Sequence, residues 1–451
     1  MLASRLPFAA LVLAMLPAVL DQTILATALP TVARELGSLA DVSWVVTAYV
    51  LASTASTPLW GKLADRRGVR PLLIASLSVF LAGSALSGAA QDLTQLVVFR
   101  AAQGVGAGGL MTLAMAAVAQ LVAPRERGRY QGYIAAVFAG ASIAGPLLGG
   151  LLVDHASWRW VFYVNLPLGA AALAALAVTL PAGRPDRESA QPLDVTGATL
   201  LVAATSGLLL LCLDGFSLPL LVGTVVAAVA LAIRERRAAD PIVPVRLLAT
   251  PTVAVASAGL FLGTAGLFAV IVFIPVFLQA ATGASPTDAG LLLLPMMAGL
   301  TASTTLSGRA IARTGRYKRF PVAGLALMTA GLLGLAAVTG AQSAVATGAG
   351  LIVFGAGFGM VSQVLVVAVQ NGVERRSIGS ATAATGFFRA LGGAVGAAVL
   401  GSIFTAAIGA GTPDPDAVAG AVQTVLLCAA PVTALALIVV ARLPETPLQR
   451  A

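Results

Sequence analysis

Long apolar runs, separated by short polar loops, divide the chain of 451 residues. A membrane-spanning helix needs roughly 20 mostly apolar residues. Fourteen runs approach or exceed this length: 8–29, 43–60, 71–90, 94–121, 130–153, 161–180, 195–213, 217–233, 252–279, 287–307, 321–340, 344–370, 378–408 and 418–441. Charged residues make up only 10% of the chain, against roughly 25% in an average soluble domain. The sequence therefore predicts an all-α polytopic membrane protein.

The basic residues predict the orientation of these spans. Positive residues concentrate in the cytoplasmic loops of membrane proteins. If the N-terminus is inside, the outward loops hold only Arg34 and Arg159. All of the inward loops are richer: they hold Lys62, Arg66, Arg67, Arg70, Arg125, Arg127, Arg129, Arg184, Arg187, Arg234, Arg236, Arg237, Arg246, Arg309, Arg313, Arg316, Lys318, Arg319, Arg375 and Arg376. We therefore expect both termini in the cytoplasm. The net charge of +9 reflects topology, and no nucleic-acid partner is expected.

One charged turn occurs twice. The segment GKLADRRGVR at residues 61–70 returns in outline as GRAIARTGR at residues 308–316. The first lies between spans two and three and the second between spans ten and eleven, so spans one to six correspond to spans nine to fourteen. The predicted units are residues 1–180, an inserted two-helix hairpin at residues 181–250, and residues 251–451. Internal repeats of this kind are typical of transporters in which two halves rock about a central site.

Four segments combine glycines, prolines and polar residues: LDQTILATALP at residues 20–30, GKLADRRGVRPLL at 61–73, RAAQGVGA at 100–107 and ASIAGPLLGG at 141–150. Together they resemble the major facilitator superfamily, in particular its fourteen-helix drug/proton antiporter branch. The resemblance implies a major facilitator fold with two six-helix halves and proton-coupled export by alternating access. The sequence departs from the pattern at Ala312, which replaces the acidic residue in the second copy of the turn.

The resemblance implies that the turn with Gly61, Asp65, Arg66, Gly68 and Arg70 latches one conformation of the transporter. Asp65 can pair with basic residues or accept hydrogen bonds from backbone donors where helix ends meet. Glycine lets the backbone turn tightly and approach a neighbour. The alternative is a solvated loop that only fixes topology.

Asp21 and Arg100 are ionisable residues within predicted spans. Such residues cost roughly 2.5–3.5 kcal/mol each on insertion scales and usually mark a pathway. Asp21 lies roughly 13 Å before the outer end of its span and Arg100 roughly 10 Å after the outer start of its own, at 1.5 Å per residue. A contact between them is therefore expected, and a carboxyl that alternates between Arg100 and a proton would couple transport to protons. The alternative is a fixed structural ion pair.

Candidate substrate contacts are fewer and weaker. Gln103 lies one turn from Arg100 and faces roughly the same way. Arg389 is the one full charge placed deep in the second half, where it either attracts an anionic or carbonyl-bearing substrate or caps helix carbonyls. Phe261, Phe268 and Met296 are expected to line an adaptable apolar pocket, although such residues often face lipid or core.

The fifth span carries a small-residue face with Gly145, Pro146, Gly149 and Gly150. Small residues allow close helix approach and a proline kinks a helix. The resemblance assigns this pattern to antiporters, in which it is thought to seal the pathway against leak. The alternative is ordinary close packing of helices.

The predicted function is a proton-coupled secondary active exporter of a small, largely apolar or cationic organic molecule such as a drug, dye or antibiotic. No phosphate-binding loop and no catalytic or metal-ligand constellation occurs, so no enzyme activity, cofactor or metal is expected. The expected partners are substrate, protons and the lipid bilayer, for a monomer in a bacterial cytoplasmic membrane. The alternatives are a dedicated exporter of one metabolite, such as a self-made antibiotic or siderophore, and a non-transporting membrane scaffold or sensor.

Overall fold

A computed structural model describes residues 5–36, 39–181, 194–213, 217–238, 245–282, 291–339, 343–374, 377–408 and 415–445. Sixteen helices occupy these ranges: α1 (Arg5–Leu36), α2 (Leu39–Arg67), α3 (Val69–Ala89), α4 (Leu93–Leu121), α5 (Pro124–His155), α6 (Trp160–Tyr163), α7 (Asn165–Thr179), α8 (Val195–Leu213), α9 (Leu218–Arg237), α10 (Val245–Leu248), α11 (Pro251–Thr282), α12 (Leu294–Thr314), α13 (Arg319–Val338), α14 (Ala344–Gly372), α15 (Ile378–Ile408) and α16 (Pro415–Val440). The predicted all-α polytopic fold is confirmed.

Each of the fourteen predicted spans corresponds to a long helix, with α6 and α7 together forming the sixth. Among the described residues, ten helices are long and apolar enough to cross a membrane. Of the other four spans, α2 and α12 carry more polar residues, and both pack against the opposite half.

The packing order of the first half is repeated in the second. In the first half, α1 contacts α5 and α7, α4 contacts α2 and α3, and α3 contacts α7. In the second half, α11 contacts α15 and α16, α14 contacts α12 and α13, and α13 contacts α16. The halves meet through α5 with α12 and through α2 with α15, which are equivalent pairs. The duplicated turn therefore belongs to a duplicated packing arrangement.

Each half has its own apolar core. One core runs from Val253 to Leu443, and two smaller ones lie between Ala10 and Leu180, joined by Ile378 and Val373 from the second half. In a bilayer such cores are held by close van der Waals packing, because lipid is as apolar as the side chains. The exact unit boundaries predicted at residues 180/181 and 250/251 stay a prediction.

The inserted hairpin consists of α8 and α9, and α8 packs against α2 and α15. At its base, Arg234 Nε donates to Asp194 Oδ2 at 3.0 Å, and the Gly197 N–H donates to Asp194 Oδ1 at 2.9 Å. Burial acts to raise the pKa of Asp194, but these two donors together lower it below its ordinary value. Arg184, Arg187, Arg375 and Arg376 of the predicted inward loops lie outside the described residues.

Each copy of the charged turn contains a glycine with positive φ. Gly68 has φ 84° and directly follows α2, and Gly315 has φ 71° and directly follows α12. Positive φ strains most other residues, so glycine is required at both turns. The spacing from Gly61 to Gly68 equals that from Gly308 to Gly315, which sets the two copies in register and makes Ala312 the counterpart of Asp65.

Candidate functional site

Asp21 on α1 and Arg100 on α4 form a buried ion pair. Arg100 Nη1 donates to Asp21 Oδ2 at 2.6 Å, and the two side chains are 0% and 1% exposed. The contact expected from their similar depth is therefore present. A buried pair of this kind is strongly destabilised when one partner is lost, because the other charge is left without compensation. The role of the pair in proton coupling stays a prediction.

Two amides complete the environment of the Asp21 carboxylate. Gln103 Nε2 donates to Asp21 Oδ1 at 2.8 Å, and Asn165 Nδ2 donates to the same oxygen at 3.1 Å. Asn165 also donates to Ser84 Oγ at 3.0 Å, while Gln103 Oε1 accepts from Arg100 Nη1 at 2.7 Å. Arg100, Gln103, Asn165 and Ser84, which form the network around this carboxylate, are all buried. Sequence analysis missed Asn165, because a neutral amide at the start of a short helix carries no charge to mark it.

Arg100 is held on its other faces by α2 and α6. Its Nε donates to the Val45 carbonyl at 3.3 Å, and its guanidinium lies 4.2 Å from the Tyr49 ring centroid and 5.7 Å from that of Phe162. A guanidinium over an aromatic face gains electrostatic energy that grows when the pair is desolvated. The position of Arg100 is thus fixed by Tyr49, which also borders a cavity.

That cavity has a volume of about 360 Å³ and lies between the halves. Helices α1, α2, α4 and α5 of the first half and α15 of the second supply its walls. Its polar walls consist of Gln22, Thr23, Tyr49, Ser53, Thr54, Thr57, Thr112 and Arg389. Its apolar walls include Val19, Met111 and Phe138. The volume lies within the range of pockets that hold drug-sized ligands, about 300–1,000 Å³.

Arg389 borders the cavity, and the other four candidate substrate contacts do not. Gln103 bonds the Asp21 carboxylate instead and is 0% exposed. Met296 is 0% exposed within the core of the second half, and neither Phe261 nor Phe268 lines the cavity. Phe261 and Phe268 pack beside the glycines of α15, at Gly392 and Gly393. A substrate role for these four residues stays a prediction.

The predicted latch turn meets the N-terminus of α15. Asp65 Oδ1 accepts from the Gly379 N–H at 2.8 Å, and Oδ2 accepts from the Ser380 N–H at 2.7 Å and from Ser380 Oγ at 2.5 Å. Of the two expected kinds of partner, basic side chains or backbone donors, these contacts include two backbone donors, and the third donor is a hydroxyl. Asp65 lies beyond the predicted span, and burial raises its pKa to about 6 against the opposing effect of these donors.

The other residues of the turn have separate positions. At Gly61, α2 crosses α15 so closely that a Cβ on Gly61 would lie 2.7 Å from the Gly379 carbonyl oxygen. Arg70 Nη2 donates to the Ala177 carbonyl at 2.5 Å and so caps the end of α7. Arg66 is half-buried near the end of α2. Gly61 and Asp65 thus contact the second half, whereas Arg70 contacts its own half.

An equivalent crossing joins α5 to α12. A Cβ on Gly128 would lie 2.8 Å from Gly308 Cα, and one on Gly308 would meet the Gly128 carbonyl oxygen. Nearby, Arg127 Nη1 donates to the Gln370 carbonyl at 3.4 Å and Gln370 Nε2 donates to the Met115 carbonyl at 3.4 Å. With the crossing at Gly61, these contacts close the cavity at the Asp65 end of the molecule.

The small-residue face of α5 packs against α1. A Cβ on Gly145 would collide with Thr23, and one on Gly149 would lie 2.8 Å from the Ile24 carbonyl oxygen. A Cβ on Gly150 would meet nothing within 4 Å, and Pro146 lies within α5. Thr23 also lines the cavity, so the glycine face sets how closely α5 approaches one cavity wall. A role in sealing the pathway stays a prediction.

Comparison with known proteins gives one family. The sequence profile described as Major Facilitator Superfamily matches residues 11–397. The fold is similar to that of the human organic anion transporter MFSD10, with a TM-score of 0.73, 17% identity, and coverage of 97% of this chain and 99% of that one.

Relatives identified by sequence similarity agree with this family assignment. The chain is 40% identical over 407 residues to an uncharacterized MFS-type transporter of Mycobacterium tuberculosis, covering 88% of this chain and 59% of the relative. It is 33% identical over 410 residues to the multidrug transporter protein MdtP of Bacillus subtilis, covering 88% of this chain and 75% of that one. The chain therefore spans about three fifths of the length of the mycobacterial relative.

Proposed function

The chain belongs to the major facilitator superfamily, and we propose that within it the protein is a proton-coupled exporter of small organic molecules. It would take up protons from outside and release a largely apolar drug, dye or antibiotic by alternating access. Relatives named as multidrug transporters and efflux pumps support the direction of transport.

One observation carries the proposal: a buried carboxylate network lies one side chain away from a cavity between the halves. Tyr49 lines the cavity, and the Arg100 guanidinium lies 4.2 Å from the centroid of its ring. A change in the Asp21–Arg100 pair is therefore transmitted to the cavity wall through Tyr49. Protonation of Asp21 removes the charge that Arg100, Gln103 and Asn165 bind, and this biases the equilibrium between two arrangements of the helices.

The contacts between the halves define the conformation. The crossings at Gly61–Gly379 and Gly128–Gly308 close the cavity toward the Asp65 end. With the basic loops inside, this end faces the cytoplasm, so the arrangement is closed to the cytoplasm and awaits proton uptake from the other side. The protein would act as a monomer in a bacterial cytoplasmic membrane, with both termini inside.

The proton gradient is an adequate energy source. One charge that crosses 100 mV supplies about 2.3 kcal/mol. Since 1.4 kcal/mol corresponds to a factor of ten, this supports roughly fiftyfold accumulation per proton. A pH difference across the membrane adds to this drive.

The test is uphill transport by purified protein in proteoliposomes. An imposed pH gradient should drive a panel of dyes and antibiotics against their concentration gradients, and a protonophore should abolish the movement. Transport of one compound alone would indicate a dedicated metabolite exporter. Absence of gradient-driven movement for the whole panel, from protein that is folded and correctly inserted, would contradict the proposal.

A further inference from the structure

The cavity carries an uncompensated positive charge. Among the described residues that line it, Arg389 alone bears a full charge. Its side chain is half-buried, and no hydrogen bond or ion pair joins its guanidinium to another described residue. A cation without a partner is costly where the protein shields it from water. Asp21 does not line the cavity and is paired with Arg100.

Several hydroxyls on the polar walls of the cavity already donate within the protein. Ser53 Oγ donates to the Val50 carbonyl at 3.0 Å, and Thr57 Oγ1 lies 2.8 Å from the Ser53 carbonyl. Thr23 Oγ1 likewise donates to the Leu20 carbonyl at 3.0 Å. The other polar side chains on the walls, Gln22, Tyr49, Thr54 and Thr112, carry no full charge. Charged groups form the stronger hydrogen bonds, so the guanidinium of Arg389 is the strongest donor that borders the cavity.

The duplicated fold places an aromatic ring opposite this charge. Gly128 and Gly379 are the α5 and α15 residues of the two equivalent crossings. Phe138 lies ten residues after Gly128, and Arg389 lies ten residues after Gly379. Both positions line the cavity. Equivalent positions in the repeat thus present an apolar surface on one wall and a cation on the other.

We propose that the cavity binds an amphipathic organic acid, with its carboxylate on Arg389 and its apolar body toward Phe138, Met111 and Val19. This rests on the proposed function as an exporter and specifies its substrate class. Arg matches carboxylates with two parallel hydrogen bonds, which gives a charge-selective contact. A cationic substrate would meet a like charge and no carboxylate on the cavity wall, so the site selects anions over cations.

Three matched dyes test the charge preference: dansylglycine, which is anionic, dansylglycinamide, which is neutral, and dansylcadaverine, which is cationic. Fluorescence titration of the purified full chain at neutral pH gives the three dissociation constants without any gradient. The expected order is acid, then amide, then amine, with about tenfold between acid and amide. Equal affinities, preference for the amine, or no saturable binding of the acid would overturn the proposal.

Variants locate the contact. Arg389→Gln should weaken binding of the acid about tenfold and leave the amide within about twofold, while Arg389→Lys should retain part of the preference. Phe138→Ala should weaken all three dyes alike. Arg237→Gln, on the exposed end of α9, is the control for loss of one positive charge and should change none. Equal weakening of all three dyes by Arg389→Gln would show a structural role and overturn the proposal.

Binding and transport measurements together distinguish failure of the anion site from failure of the exporter function. If the acid is preferred but no dye is moved uphill in proteoliposomes, the binding site stands and the exporter function fails. If neutral or cationic dyes are moved uphill and the acid is not preferred, the exporter function stands and the anion site fails.

Discussion

Adding one methyl group at the crossing of α5 and α12 should weaken the closed arrangement of the two halves. In Gly308→Ala the new Cβ would meet the carbonyl of Gly128 and lie 3.0 Å from the Arg129 nitrogen, all of them backbone atoms. Overpacking of this kind costs about 1–3 kcal/mol. The equilibrium constant for closing the Asp65 end should therefore fall by a factor of about 5–150.

Replacing glycine in a helix also adds up to about 1 kcal/mol of helix propensity, but this contribution is the same in both conformations and cancels. Gly334→Ala on α13 is the matched control, because a Cβ there would meet nothing within 4 Å. The assay is the spin-label distance between Val178→Cys on α7 and Arg442→Cys after α16, with Cys212 and Cys428 replaced. Gly308→Ala should add a population at longer distance and Gly334→Ala should not. Identical distance distributions in Gly308→Ala and the parent would refute the reasoning.

Three further predictions concern the latch, the carboxylate network and α5. Burial in the closed arrangement raises the pKa of Asp65 from 3.8 to about 6, so closing takes up a proton. The same spin-label pair should therefore show a closed fraction that is largest below pH 4 and falls as the pH rises through 6. Asp65→Asn should abolish this pH dependence. Asn165→Ala removes one donor to the Asp21 carboxylate and should lower the free energy of unfolding by about 1.5–3 kcal/mol, measured by denaturation in detergent. In Gly145→Val the new side chain should collide with α1 and slow dye efflux. Gly140→Ala on the same helix is the control, because a Cβ there would meet nothing within 4 Å, and it should leave efflux unchanged. Equal efflux rates in these two variants would count against the close packing of α5 on α1.

The sequence predicted those parts of the fold that depend on span length and repetition. Apolar runs and the duplicated turn were sufficient for the helix count and for matching the halves. The Asp21–Arg100 contact was also predictable, because both charges lie at similar depth and few alternatives exist. The polar residues of α2 and α12 follow the same logic, because these two helices pack against the other half.

Other features depend on contacts that leave no charge pattern. Asp65 binds backbone N–H groups of Gly379 and Ser380, which are 314 and 315 residues away in the chain. Asn165 and Ser84 carry no charge, so nothing in the sequence marks them as partners of the network. Aromatic and thioether residues are equally suited to a pocket or a core, and only the packing shows that Met296 lies in a core.

Asp21 is proposed to exchange the proton that drives export. Proteoliposomes that contain the wild type or Asp21→Asn should be compared by following dye efflux and internal pH together under an imposed pH gradient. The amide cannot exchange a proton, so Asp21→Asn should lose both uphill efflux and substrate-driven proton movement while retaining exchange of dye down its gradient. Uphill efflux with proton movement in Asp21→Asn would contradict the claim and show that the proton is carried elsewhere.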